Sequence, residues 1–120
     1  MNDTQAFTVG NFEILIQKRN KNNPLPSPEE AEAKLHHEGY ECFQWYDVPG
    51  TIYPRHQHKY SECLWLLKGE LVIQIELLTL NLAQGDKAYL PAQLPHELSI
   101  PPHSSATYLV GQKKISTSHP

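Results

Sequence analysis

The stretch Gly50-Thr51-Ile52-Tyr53-Pro54-Arg55-His56-Gln57-His58-Lys59-Tyr60-Ser61-Glu62 decides how this chain is read. On a β-strand His56 and His58 point to the same face, because side chains alternate with period two, and both rings can then meet one ion. A helix turns about 100° per residue and would set them roughly 200° apart. Pro54 and the Pro49-Gly50 pair also oppose a helix. Glu62 returns its carboxylate to the same face if the strand resumes after a small kink. Two imidazoles and one carboxylate form a facial set with open positions, a pattern suited to iron and similar metals. His96 follows Pro91 and Pro95 on a rigid turn and is placed to supply a fourth ligand. A His-x-His pair alone is weak evidence, since exposed strand histidines are common. The surroundings must carry the rest.

Outward from this segment the chain reads as short strands. Glu41 to Val48 is rich in aromatics and stops at Pro49-Gly50. Thr51 to Arg55, Cys63 to Leu67, Glu70 to Leu77, Lys87 to Leu90, Leu98 to Ile100 and Ala106 to Val110 follow, separated by Lys68-Gly69, Gly85-Asp86 and similar turn signals. Phe12 to Gln17 reads as a buried strand, and Lys21 to Pro28 as a Pro-rich loop. A short helix is punctuated by Ser27 as N-cap, Pro28 in the first turn, Glu30 closing a capping box and Gly39 as stop. Ala31, Ala33 and Leu35 are its apolar residues, so it packs lightly on the surface. Many short strands with frequent turns predict an all-β sandwich or barrel rather than βαβ units.

Composition narrows the function classes. The 120 residues, 39% hydrophobic, fit one soluble domain. The net charge of −3, without a basic stripe, argues against a nucleic-acid or anionic-membrane partner. The chain lacks an apolar run of about 18 residues, and its first residues show no basic start before an apolar block. The expected location is the cytoplasm. Cys42 and Cys63 are expected to be free thiols there.

The spacing around the histidines strengthens the site. Gly50, five residues, His56, one residue, His58, three residues, Glu62, six residues and Gly69 match the first motif of the cupin superfamily at each fixed position. Gly85, five residues, Pro91, then His96 match the second. Gln93 stands where the family usually has Gly, and Ile100 where it often has Asn; the first change predicts a different backbone path before His96. The sequence resembles the small single-domain, cupin 2 type conserved-barrel proteins tightly from Gly50 to Ile100. The resemblance implies a double-stranded β-helix, or jelly-roll barrel, with a metal in its mouth. The implied division is 1–40 for strand, loop and helix, 41–112 for the barrel and 113–120 for a polar tail. It also implies one divalent transition metal ion (Mn, Fe, Ni, Zn or Cu) on His56, His58, Glu62 and His96. Cupin chemistries range from oxygenation, isomerisation and lyase reactions to simple binding, and fold does not choose among them.

Strand parity gives an expected pocket. Pro54, His58, Leu64, Leu66, Leu98 and Ile100 point inward, while Arg55, Gln57, Cys63 and Trp65 point away. An aliphatic wall suits a compact small-molecule ligand coordinated to metal rather than a charged sugar acid. Tyr60, Tyr89, Tyr108 and Glu97 are the candidates for handling protons. The hairpin Glu76-Leu77-Leu78-Thr79 exposes leucines, which predicts a homodimer. Two functions fit: a metal-dependent enzyme on a chelating substrate, or a non-catalytic binding or sensing module.

Overall fold

A computed structural model describes residues 3–113. Its strands are β1 (Asp3–Val9), β2 (Phe12–Lys18), β3 (Glu41–Asp47), β4 (Ile52–His56), β5 (Ser61–Gly69), β6 (Leu71–Ile75), β7 (Leu78–Leu82), β8 (Lys87–Leu90), β9 (His96–Ser99) and β10 (Ala106–Lys113). One helix, α1 (Pro28–His37), lies between β2 and β3. The strands form two antiparallel sheets, ordered β1-β2-β8-β5-β10-β3 and β4-β9-β6-β7. This is the double-sheet jelly roll that the cupin resemblance implies, within the all-β class that the turn-rich pattern predicts.

Period-two alternation builds the core between the sheets. Ile14 and Ile16 of β2, Leu64 and Leu66 of β5, Leu71, Ile73 and Ile75 of β6, and Leu98 of β9 are buried together with Ile100. The run CLWLL is apolar throughout because both faces of β5 are covered. Leu64 and Leu66 face the interior, while Cys63 and Trp65 pack beneath α1 against Ala31, Leu35 and Leu109. Burying a leucine such as Leu35 contributes about 1.5–3 kcal/mol, which fastens a helix whose other faces meet solvent.

The capping box forms as its residues predict. Ser27 Oγ accepts from the Glu30 N–H at 3.1 Å, and Glu30 Oε1 accepts from the Ser27 N–H at 3.0 Å. The Ser27 hydrogen bonds hold the Glu30 carboxyl below the usual carboxylate range. Gly69 closes the turn into β6 at φ +92°, where a Cβ would meet the Ser105 carbonyl oxygen at 1.8 Å. The barrel therefore admits only glycine there.

Three details differ from the sequence expectation. β1 was not foreseen, because it is mostly exposed and its apolar alternation is limited to Phe7 and Val9, which pack on the core while the backbone pairs with β2. The β6–β7 turn is shorter than expected: Ile75 pairs with Leu78, so Glu76 and Leu77 alone span it. Glu76 takes φ 51°, and Leu77 is fully exposed, as a leucine at a hairpin tip must be. The expected polar tail lies, beyond Lys113, outside the described residues. Among the described residues no helix is long and apolar enough to cross a membrane.

The cap yields a stability test. Ser27→Ala should lower unfolding free energy by about 1 kcal/mol in urea titration, with the m-value unchanged. An unchanged midpoint would mean that packing of Leu35 alone sets the helix start.

Candidate metal centre

The two sheets bring the four predicted residues to one place. His56 ends β4 and pairs directly with His96, the first residue of β9. His58 lies just beyond β4, in the loop rather than on a continuous strand. Glu62 reaches in from the opposite sheet, where it is flanked by Leu90 of β8 and Gln112 of β10. The ligand atoms of His56, His58 and His96 all lie within 4.8 Å of one another. The Glu62 oxygens stand 3.7 Å from His58 Nε2 and 3.5 Å from His96 Nε2. Glu62 thus joins two of the three histidines and sits farther from His56.

Backbone carbonyls orient two rings. His56 Nδ1 lies 2.7 Å from the Pro54 oxygen, and His96 Nδ1 lies 2.8 Å from the Leu94 oxygen. A carbonyl can only accept, so each Nδ1 carries a proton, and in a neutral ring that leaves the Nε2 lone pair for a ligand. His58 stacks on Tyr60 at a 4.8 Å centroid separation and 17° between planes. Burial lowers the His58 pKa; the Glu62 charge opposes this, and His56 and His96 add to it. Three converging imidazoles, two of them turned by backbone carbonyls, form a donor set that could hold a cation.

Two atoms test whether the set fits a metal. Glu62 Oε1 and His96 Nε2 are buried and have no hydrogen-bond partner. Each such group carries a desolvation penalty of about 1–3 kcal/mol, more for a charged one, unless something compensates it. A divalent ion ligated by both would compensate both at once. The nitrogen and oxygen donors match a first-row transition metal.

A bulge explains how the histidines reach the interior. Between the pairs Tyr53–Leu98 and His56–His96, Pro54 and Arg55 oppose the single residue Glu97. The extra residue shifts the parity. Tyr53 and His56 therefore both face the cavity, and Pro54, expected inward, is exposed. Gln93 also departs from expectation. It adopts φ 69°, the left-handed conformation in which glycine would be relaxed, so the chain does not take another path. Its N–H donates to the His58 oxygen at 2.7 Å, and its side chain accepts from Gln57 Nε2 at 3.0 Å. These bonds tie the His96 turn to the His58 loop.

A cavity of about 190 Å³ opens beside the cluster. Its wall includes Leu64 and Leu98, as parity predicts, and also Phe43, Trp45, Tyr53, Tyr60, Tyr108 and Val110. It contains no lysine or arginine. Sequence reasoning missed Phe43, Trp45 and Tyr53; the alternation Phe43, Trp45, Asp47 along β3 was the available signal. Asp47 is buried and organises this wall. It accepts from Tyr108 at 2.6 Å, from Tyr53 at 2.5 Å and from Trp45 Nε1 at 3.1 Å. Burial, reinforced by the bond to Asp47, raises the pKa of both Tyr53 and Tyr108 and keeps them protonated donors.

The other proton candidates separate. Tyr60 lines the cavity, and its hydroxyl accepts from Gln112 Nε2 at 3.1 Å. Tyr89 lies beneath α1 and donates to Glu38 at 3.1 Å, away from the histidines. Glu97 pairs with Gln74 and faces the opposite side of its sheet from His96. Neither lines the cavity. A larger groove of about 370 Å³ runs past Arg19, Lys34, Trp65 and Lys87 on the outer side, but it gathers no set of metal-ligand atoms. Glu32, His36 and Cys42 form a second group near α1. Burial and then the Glu32 charge push the Cys42 thiol up, away from the thiolate a metal needs.

The architecture, with three histidines clustered at its mouth, defines a small double-sheet β-barrel. The chain belongs to the cupin family: the Cupin domain model matches residues 43–110. Comparison with curated proteins gave no match. Solved structures agree on the fold. A cupin protein from Bacteroides fragilis is 19% identical at TM-score 0.58, with 100% of this chain and 92% of that chain covered. A cupin-like protein from Thermotoga maritima is 13% identical at TM-score 0.59, covering 90% and 76%. The polyketide cyclase RemF from Streptomyces resistomycificus is 17% identical at TM-score 0.57, covering 98% and 83%.

The Asp47 network makes its own prediction. Tyr108→Phe leaves Asp47 Oδ2 without that donor and should lower stability by about 1–3 kcal/mol in denaturant titration. Stability equal to that of the parent would show that the tyrosine hydroxyl does not anchor the wall.

Proposed function

We propose that this chain is a metal-dependent enzyme acting on a small, chelating organic substrate, with His56, His58, Glu62 and His96 holding one divalent transition metal. The observation that carries the reading is the pair of buried, unpartnered atoms, Glu62 Oε1 and His96 Nε2, among converging imidazoles. A metal held there would act as a Lewis acid that polarises a chelating oxygen. The chain's own residues would do the rest. Leu64, Leu98 and Val110 exclude water, and Phe43, Trp45 and Tyr108 offer flat apolar surface to the body of the ligand. Tyr60 holds the His58 ring by stacking. The absence of lysine and arginine from the wall disfavours a polyanionic substrate. RemF, a cyclase, supports catalytic use of such a barrel.

A specific observation favours a second reading, a non-catalytic binding or sensing module. Tyr53 and Tyr108 commit their hydroxyls to Asp47, which leaves few free groups for proton transfer. In either reading we place the protein in the cytoplasm on its two free cysteines, and we take it to act as a homodimer.

Anaerobic purification followed by elemental analysis tests the proposal. About one transition metal per chain is expected, and Glu62→Ala or His58→Ala should lower occupancy at least about tenfold. Unchanged stoichiometry in both variants would sink the ligand assignment. Oxygen uptake or substrate turnover with the loaded protein favours the enzyme; tight binding without turnover favours the module.

A further inference from the structure

Among the described residues, one side of the sandwich is left uncovered in a way the metal centre does not explain. β3 is an outer strand of the six-stranded sheet and β4 an outer strand of the four-stranded sheet. The turn between them is only four residues long, so both edges open on the same side. Phe43, Trp45, Tyr46, Val48 and Ile52 are all exposed here; elsewhere among the described residues, Leu77 is the other large apolar side chain left exposed. Tyr46 and Ile52 show 59% and 63% of their surface. From Phe43 to Tyr53 the single charged residue is Asp47, and it is buried under the tyrosine hydroxyls.

Edge strands normally carry devices that stop them from pairing with another chain. β4 has Pro54 and its bulge. β1 carries polar Thr4, Gln5 and Thr8, and β7 turns Thr79 and Asn81 outward. β3 has no lysine, no proline and no break in its register with β10. Among the described residues it is an open and largely apolar edge.

We propose that β3 pairs antiparallel with β3 of a second copy of this chain, about a two-fold axis at Gln44. This register sets Phe43 against the partner's Trp45 twice, and Cys42 against the partner's Tyr46 twice. Aromatic cross-strand pairs of this kind stabilise antiparallel sheets. The register also brings Glu41 opposite the partner's Asp47, but the Asp47 carboxylate is turned inward onto its three donors, so two exposed anions do not meet. A two-fold is the natural symmetry for a strand that meets itself. The five exposed side chains offer on the order of 500 Å² per copy, so the pair would bury about 1,000 Å² before the polar rim is added, at the threshold for a specific interface.

The inference rests on the cavity described above and deepens it, because Phe43 and Trp45 line that cavity. Pairing would place the partner's Trp45 beside Phe43 on the same sheet face. Each copy would then help to roof the aromatic end of the other's cavity. Leu77, the sequence-based reason for expecting a dimer, lies at the β6–β7 tip and plays no part.

Sedimentation of the purified full chain at micromolar concentration, with and without metal, tests this. A dimer is expected in both conditions. Tyr46→Lys should yield a folded monomer by sedimentation and circular dichroism, whereas Leu77→Lys should stay dimeric. Gln44→Cys in a Cys42→Ser background should give a reducible covalent dimer on mild oxidation, since residues facing across an antiparallel pair stand about 4.5–5.5 Å apart at Cα, within disulfide reach. A monomeric parent chain, a monomer that pairs only with some other protein, or a dimer broken by Leu77→Lys and not by Tyr46→Lys would overturn the proposal. A chain that binds metal but sediments as a monomer refutes the interface and leaves the metal reading intact. A dimer that takes up no metal when metal is supplied does the reverse.

Discussion

Burial of the Glu62 carboxylate beside His96, with no hydrogen bond to either Glu62 Oε1 or His96 Nε2, is the constraint around which this barrel is arranged. A carboxyl oxygen and a ring nitrogen withdrawn from water without hydrogen bonds must be compensated, or the fold loses about 1–3 kcal/mol for each. The surrounding chain spends several features on keeping them there. Carbonyls of Pro54 and Leu94 fix the proton on the far nitrogen of two rings. Tyr60 stacks on the third. Gln93 accepts an unfavourable left-handed conformation, and its amide bonds to the His58 carbonyl. These features support the proposed metal site.

The jelly roll makes this arrangement possible because its two sheets approach at the mouth. The smaller sheet presents His56 and His96 as direct partners across β4 and β9, and the larger presents Glu62 from β5. Neither sheet alone could surround an ion. The same geometry leaves an apolar cavity between the sheets, walled by β3 and β10 aromatics that Asp47 holds in place. At the outer edge that cavity is rimmed by Phe43 and Trp45, on the strand with the least defended edge. Site, cavity and proposed interface are therefore successive layers of one side of the molecule.

Much of this was legible in the sequence. The alternation of Leu71, Ile73 and Ile75 is buried on one face, whereas Leu77, on the same face by parity, falls in the turn and is exposed; the continuous apolar run CLWLL is covered on both faces. The histidine and glutamate spacing brought four side chains to one region. Parity failed where the backbone is irregular: the bulge at Pro54 and Arg55 exchanged Tyr53 for Pro54 in the cavity wall. β1 escaped notice because only Phe7 and Val9 of its seven residues turn onto the core, and the rest is exposed. The left-handed Gln93 escaped because propensity argues against it and the bonds to the His58 loop override propensity. Tyr89 and Tyr108 look alike in the sequence, yet β8 turns Tyr89 toward α1 and β10 turns Tyr108 into the core.

The most direct test is a crystal structure of anaerobically prepared protein, with anomalous data collected at the absorption edge of the metal found. The account predicts one anomalous peak per chain, about 2.0–2.2 Å from the Nε2 atoms of His56, His58 and His96 and from a Glu62 oxygen. A structure without such a peak, or with the metal seated at Glu32, His36 and Cys42 instead, would contradict it.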